Sequence, residues 1–205
     1  YLIKKYLSDI IFNKDSIILD IGGGYGILGY MLKKIDFPGT YILVEFPEQL
    51  IAAQYFLKSN FPNFKISNLK FFFDNEENLH NDQIKQFDFF LCPSDKFLSL
   101  NIKNIDLVTN FFSFGEMSKD NFNFYIKSKI LNTASYIFFI NRFYSHNEYK
   151  NNVSILDYNL DKYEQLYFDI NKMENTYIKQ IFRYFGITKY TNSQFFEIIG
   201  KNEKK

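Results

Sequence analysis

The 205 residues carry 24 lysines and arginines against 23 aspartates and glutamates, so no net field of either sign draws the chain to nucleic acid or to an acidic membrane surface. A chain of this length builds one α/β domain with a sizeable core, which we place at residues 1–200, with a frayed lysine-rich tail at 201–205. The single cysteine, Cys92, excludes an intrachain disulfide and a Cys-x-x-Cys zinc site and fits a reducing cytosol, and no apolar run reaches membrane-spanning length. The chain starts at Tyr1 rather than Met, and part of its N-terminus is expected to be missing. Its many Phe, Tyr, Asn, Lys and Ile residues, with no Trp, are explained by genome base composition and are given no functional role.

In residues 2–12, Leu2, Ile3, Tyr6, Leu7, Ile10 and Ile11 recur at helical spacing against Lys4, Lys5 and Asp9, which predicts an amphipathic helix beside the first strand. Residues 17–21 form a β-branched run suited to a strand buried on both faces, and a turn rich in glycine follows. Glycines permit positive φ and close backbone approach to a ligand, and the helix behind them aims unsatisfied N–H groups at it. Ile27, Leu28, Met31 and Leu32 carry the period through that helix to a stop near Asp36-Phe37-Pro38-Gly39.

Residues 40–45 read as the second strand. Glu45 ends it about 20 residues past the turn, where α/β nucleotide sites place a carboxylate against ribose hydroxyls; the plain alternative is a solvated strand-end acid. Pro47 suits a first helical turn, with Leu50, Ala53, Phe56 and Leu57 as the buried face. Residues 61–86 are weakly patterned and predict a short strand and a surface loop, with His80 solvated. The third core strand is predicted at 87–92, closed by Pro93. The fourth lies at 105–112, followed by a loop at 113–117 and a helix that Ser118 caps, with Asp120 favourable to its dipole and Phe122, Tyr125, Ile126 and Ile130 inside. Residues 135–141 give a fifth strand, with Arg142, Tyr144 and His146 beyond it. Strand candidates at 163–170 and 194–199 flank a helix or strand around 177–184. The alternation implies a parallel sheet with right-handed crossovers, whose ligands bind outside the carboxyl ends of the strands.

The glycines alone fit two cofactors. Gly24-x-Gly26-x-x-Gly29 matches a dinucleotide fingerprint, and Asp20-x-Gly22-x-Gly24-x-Gly26 matches another pattern. With Asp20 two residues before the first glycine, the stretch resembles motif I of the class I S-adenosylmethionine (SAM)-dependent methyltransferases. In that family the acidic position and the adjacent backbone hold the amino-acid end of SAM, which implies cofactor contacts at Asp20, Gly22, Gly24 and Gly26. An NAD turn has no ammonium group there to need a carboxylate.

Three segments together resemble a bacterial family of sugar O-methyltransferases: Ile21-Gly22-Gly23-Gly24-Tyr25-Gly26, Glu45-Phe46-Pro47-Glu48-Gln49-Leu50, and Asn110-Phe111-Phe112-Ser113-Phe114-Gly115-Glu116-Met117. The third is the most particular. Asp20 stands where such sequences often have Glu, which preserves the charge. The resemblance implies an α/β fold with a doubly wound, mostly parallel seven-stranded sheet of the Rossmann-like methyltransferase kind, ending in an antiparallel hairpin. It also implies SAM as cofactor and a hydroxyl of a small-molecule sugar or glycoconjugate as acceptor. The end of the third strand would border the adenine, which makes Asp95 a contact; helix capping by Ser94 and Asp95 is the alternative.

Methyl transfer to a hydroxyl requires the acceptor to be held in line and its proton removed. The base candidates are Glu116, in the family-like segment, and His146, which titrates in the useful range; Asn110, Asn141 and Arg142 are candidates for orienting the acceptor. Glu116 also reads as a helix-start carboxylate, and His146 as a surface-loop histidine. Glu116 and Asn141 could offer oxygens to Mg²⁺, but no metal is predicted. A SAM-binding or inactive methyltransferase-fold module of a longer protein, and an NAD(P)-dependent oxidoreductase, are the alternative readings. The expected location is cytoplasmic, with neither nucleic acid nor membrane as partner.

Overall fold

The computed structural model describes residues 1–71, 79–145, 153–171, 176–181 and 188–203. Five apolar segments form the parallel part of the main sheet: β1 (Ile17–Ile21), β2 (Thr40–Glu45), β3 (Phe89–Pro93), β4 (Leu107–Phe111) and β5 (Tyr136–Arg142). β6 (Tyr163–Ile170) and β7 (Phe195–Asn202) complete it in the order β3-β2-β1-β4-β5-β7-β6. β7 runs antiparallel to both β5 and β6. The architecture is the expected doubly wound α/β sheet of seven strands with an antiparallel C-terminal pair.

Successive side chains of a strand point to opposite faces, so each parallel strand supplies two cores. On one face Ile17, Leu19, Ile21, Ile42, Val44, Phe90 and Cys92 meet Phe114, Phe122 and Tyr125. On the other, Ile18, Tyr41, Leu43 and Leu91 meet Leu28, Leu32, Leu50, Ala53 and Leu57. All five residues of β1 are therefore buried, and its sequence is apolar on both faces except at Asp20.

The helices depart from expectation in informative ways. The N-terminal helix is two short ones, α1 (Leu2–Tyr6) and α2 (Ser8–Ile11), because Leu7 leaves helical geometry at φ −132° and ψ 29° while its side chain enters the core. In α3 (Ile27–Lys34) the buried positions are Leu28, Gly29, Leu32 and Lys33, whereas Ile27 and Met31 are 47% and 52% exposed. The stripe turns this way because Gly29 sits against the Tyr41 ring, where a Cβ has no room. α4 (Pro47–Asn60) has Pro in its first turn and buries Leu50, Ala53 and Leu57, as expected, while Phe56 is only half-buried. α5 (Asn81–Ile84) begins at His80, whose N–H donates to Gln83 Oε1 at 3.0 Å. The helix expected after β4 is also divided, into α6 (Lys119–Ile126) and α7 (Lys129–Asn132), and Ile130 belongs to the second. Ser118 and Ser128 each cap one, accepting from Asn121 N–H and Leu131 N–H at 3.2 Å. Among the described residues no helix is long and apolar enough to cross a membrane.

In the C-terminal part, Thr176–Ile181 is a strand, paired antiparallel with Thr188–Ser193; the rest of the segment around 177–184 lies outside the described residues. The tail assignment needs correction. Lys201 and Asn202 are not frayed but form the last rungs of β7, opposite Glu164 and Tyr163. Asn202 holds the end in place: its N–H donates to Ser135 C=O at 2.8 Å and its side-chain amide to Ala134 C=O at 3.0 Å. Asn202→Ala would leave a buried carbonyl short of a donor, and we expect it to lower unfolding free energy by about 1–2 kcal/mol in urea titrations. An unchanged midpoint would show that the end of β7 is peripheral.

Candidate functional site

The register of the parallel strands sets the site. Ile21 lies opposite Val44, Glu45 opposite Pro93, and Asp20 opposite Thr109, so the carboxyl ends of β1 to β4 open on one side. There Gly22, Gly24 and Gly26 take φ of 68°, 58° and 78°, a left-handed conformation that favours glycine. Gly22 N–H continues the ladder to Val44 C=O at 2.8 Å, and Gly26 N–H closes on Gly23 C=O at 3.0 Å. Gly26 is the N-cap of α3 and makes no side-chain cap bond, so the first N–H groups of that helix face the turn.

A cavity of about 860 Å³ lies above this turn, within the range of small-molecule sites. Gly22, Gly24 and Tyr25 line it from the turn, and Val44, Glu45, Phe46 and Gln49 from the end of β2. Ser94 and Asp95 line it from beyond β3, and Ser113, Glu116 and Met117 from beyond β4. Ser118, Asn121, Phe124 and Tyr125 close it along α6. Glu45 accepts from Gly24 N–H at 3.0 Å and from Phe46 N–H at 2.8 Å, which ties the end of β2 to the turn. A Cβ built on Gly24 meets nothing within 4 Å, so this glycine faces open space. Burial, together with Cys92, Glu45 and Asp95, pushes the Tyr125 hydroxyl up to about 12, so it stays a neutral hydrogen-bonding group at the cavity wall.

The sequence candidates divide between this cavity and the scaffold beneath it. Gly22, Gly24, Glu45, Asp95 and Glu116 are brought together on its wall. Ser94 and Asp95 open a 3₁₀ turn (Ser94–Ser99) that has no side-chain cap bond, so the capping alternative does not describe them. The N-cap of α6 is Ser118, not Glu116. Gly26 packs on Leu43 and Leu57 and does not line the cavity. His146 lies outside the described residues.

Asp20 stands elsewhere than the resemblance implies. It is 2% exposed on the α3 face of β1, with its carboxylate accepting from the Tyr41 hydroxyl and from Thr109 Oγ1, the latter at 2.7 Å. A Cβ on Gly23 would collide with the Asp20 carboxylate. Asp20 thus supports the turn from below and does not line the cavity. Burial raises its pKa to about 6, against the pull of the two hydroxyl donors.

Asn110 and Asn141 also differ from their expected place at the acceptor, since both are fully buried. Asn110 Nδ2 donates to Ile21 C=O at 2.6 Å and to Ser113 Oγ at 2.5 Å, while its Oδ1 accepts from Phe114 N–H and from Asn141 Nδ2. All four of its hydrogen-bonding positions are used within the protein. Asn141 also donates to Asn110 C=O and accepts from Gly115 N–H. Arg142 ends β5 with its guanidinium 4.7 Å from the centroid of the Phe195 ring and does not line the cavity. The sequence reading gave Ser118 as a helix cap and Tyr125 as a core residue and did not place them, or Asn121, at the site; their spacing of three and four along the helix is the signal that could have done so.

Strand order β3-β2-β1-β4-β5-β7-β6 with an antiparallel seventh strand, and a glycine turn at the end of β1, define the Rossmann-like fold of class I SAM-dependent methyltransferases. Among solved structures, the PH0226 protein from Pyrococcus horikoshii OT3 superposes with a TM-score of 0.59 at 11% identity, covering 98% of this chain and 86% of that one. M. capricolum TrmK, solved with its cofactor product S-adenosyl-homocysteine (SAH), gives 0.51 at 13% identity over 96% and 67% of the two chains. The mitomycin 7-O-methyltransferase MmcR gives 0.52 at 11% identity over 93% and 50%. No protein-family model and no curated protein sequence matches the chain. Likeness at such identities establishes the fold.

The buried carboxylate yields a pH prediction. Because the folded pKa of Asp20 is raised from 3.8 to about 6, its protonated form favours the fold; this contribution is complete below the unfolded value and is lost as pH rises through 6. Tyr41→Phe removes a donor to the ionised form. It is expected to cost about 1.5–3 kcal/mol at pH 8, the range for a hydrogen bond to a charged group, and less at pH 5. Equal losses in urea titrations at the two pH values would show that Asp20 is not the group involved.

Proposed function

We propose that this chain is a SAM-dependent O-methyltransferase whose acceptor is a hydroxyl of a sugar or glycoconjugate. The observation that carries the reading is the convergence of Gly22, Gly24, Glu45, Asp95 and Glu116 on one cavity at the carboxyl ends of β1 to β4. The lining residues fit SAM: Gly24 faces open space, and the cavity wall has three carboxylates and, among its described lining residues, no lysine or arginine. That charge suits a ligand bearing a sulfonium and an ammonium, and it repels the pyrophosphate of a dinucleotide, which would have only the helix N-terminus to hold it; this favours SAM over the NAD(P) alternative. The SAH bound to TrmK in the same fold supports the same cofactor. The sugar as acceptor rests on the likeness of the three sequence segments.

In this reading the open face of the turn at Gly22 and Gly24, where no side chain stands in the way, receives the amino-acid end of the cofactor, Glu45 takes the ribose hydroxyls, and Asp95 borders the adenine. When bound, SAM supplies a methyl group on a positively charged sulfur. Glu116 accepts the proton of the acceptor hydroxyl, and Ser118 and Asn121 can orient its polar groups. The low polarity of Met117, Phe124 and Tyr125 limits water at that wall.

Two variants separate these roles. Glu45→Ala should weaken SAH about 10- to 100-fold in calorimetry, as losing charged hydrogen bonds would; an unchanged affinity removes Glu45 from the site. Glu116→Gln should leave SAM affinity within a few-fold yet lower turnover by roughly 10²–10⁴, the span of a lost general base. The assay is transfer of radiolabelled methyl to a screened panel of sugars, glycosides and nucleotide sugars. Unaffected turnover would exclude Glu116 as the base and shift the role to His146.

A further inference from the structure

Ser113 and Asn110 lie at the end of β4, yet their side chains reach the first-strand turn. Ser113 Oγ occupies the volume that a Cβ on Gly22 would need, and it donates to Ile21 C=O at 3.3 Å. Asn110 Nδ2 grips the same carbonyl and also Ser113 Oγ. From the far side Asn141 on β5 fixes Asn110 through its Oδ1, at 2.9 Å, and its C=O. Between these contacts Phe112 is held at φ 64°, a backbone region that a bulky residue rarely occupies unless its surroundings impose it. Its N–H donates to Ile140 C=O at 2.7 Å, and its ring meets Phe195 edge-on. The most particular segment of the sequence is therefore built against the glycine turn, and the Asn110 amide has no capacity left for an acceptor.

We propose that Asn110, Ser113 and Asn141 form a positioning clasp that sets the Ile21–Gly22 peptide, and with it the cofactor turn, at the geometry that binds SAM; the assignment rests on the SAM reading above. The clasp acts through the backbone of the turn. Asn110 and Asn141 touch neither cofactor nor acceptor. Its loss therefore appears as weakened cofactor affinity in a folded protein.

The test is calorimetric titration of SAH into the wild type and four variants, each checked for a cooperative melt well above the titration temperature. Asn110→Leu, which keeps the branched shape but removes every hydrogen bond, should weaken SAH by about 30-fold or more, and Asn141→Leu by about 3- to 10-fold, because it leaves the grip on Ile21 in place. Tyr163→Phe removes a buried hydrogen bond to Leu131 C=O remote from the cavity and serves as the stability control, with SAH affinity unchanged. Gly22→Ala should lose binding, because alanine resists φ 68° and its Cβ collides with Ser113; a loss of SAH affinity in Asn110→Leu that Tyr163→Phe does not show is what a purely structural role would not produce. Unchanged affinity in folded Asn110→Leu overturns the clasp while leaving the SAM reading intact. Absence of SAH and SAM binding in the wild type overturns both.

Discussion

A turn with three glycines at positive φ within five positions is one of many conformations open to glycine, and its surroundings select it. The structure holds it from three directions. Below, Asp20 presses against Gly23 while Tyr41 and Thr109 occupy its carboxylate. On one flank Glu45 draws in Gly24 N–H. On the other, Asn110 and Ser113 fasten the Ile21 carbonyl. Each prop comes from a different strand, so the turn's conformation depends on the register of the sheet. Tyr41, Thr109 and Asn110 meet β1 correctly only because β2 and β4 pair with it in parallel at those rungs.

Electrostatics adds a second constraint. Glu45, Asp95 and Glu116 face one cavity whose described lining residues include no lysine or arginine, an arrangement favourable to a ligand carrying positive charge. Asp20, the one buried acid among the described residues, lies apart from them beneath the turn, where two hydroxyl donors only partly offset desolvation. Its position makes the turn's foundation sensitive to pH near 6, while the cavity carboxylates keep water within reach. Glu116 sits on the exposed part of that wall, at the end of the Phe114–Glu116 turn, where a proton accepted from a hydroxyl can pass on to solvent.

Much of the fold was legible because the parallel strands are buried on both faces and so appear as continuous β-branched and aromatic runs; β2 falls at the residues expected. Glu45 could be found from its spacing to the glycines, and Ser118 from capping chemistry. Other features depend on contacts made across strands. Asp20 shares its face with Ile18, and only the arrival of Tyr41 and Thr109 on neighbouring strands explains where its carboxylate points. Asn110 and Asn141 are residue types that often hold ligands, but strand alternation and four internal partners absorb Asn110 entirely. The exposed positions of Ile27 and Met31 follow from Gly29 approaching Tyr41, a pairing invisible to helical periodicity. The breaks at Leu7 and Ser128 reflect side chains drawn into the core or into caps. His146 lies outside the described residues and gains no placement.

The central claim is that the turn above Asp20 and beside Glu45 is a SAM cradle. Isothermal titration of the unmodified protein with SAM, SAH and NAD⁺ under one set of conditions addresses it most directly. The account predicts saturable one-to-one binding of SAM and SAH and no measurable heat from NAD⁺. Binding of NAD⁺ with none of SAM or SAH would contradict it and make the same turn a dinucleotide site.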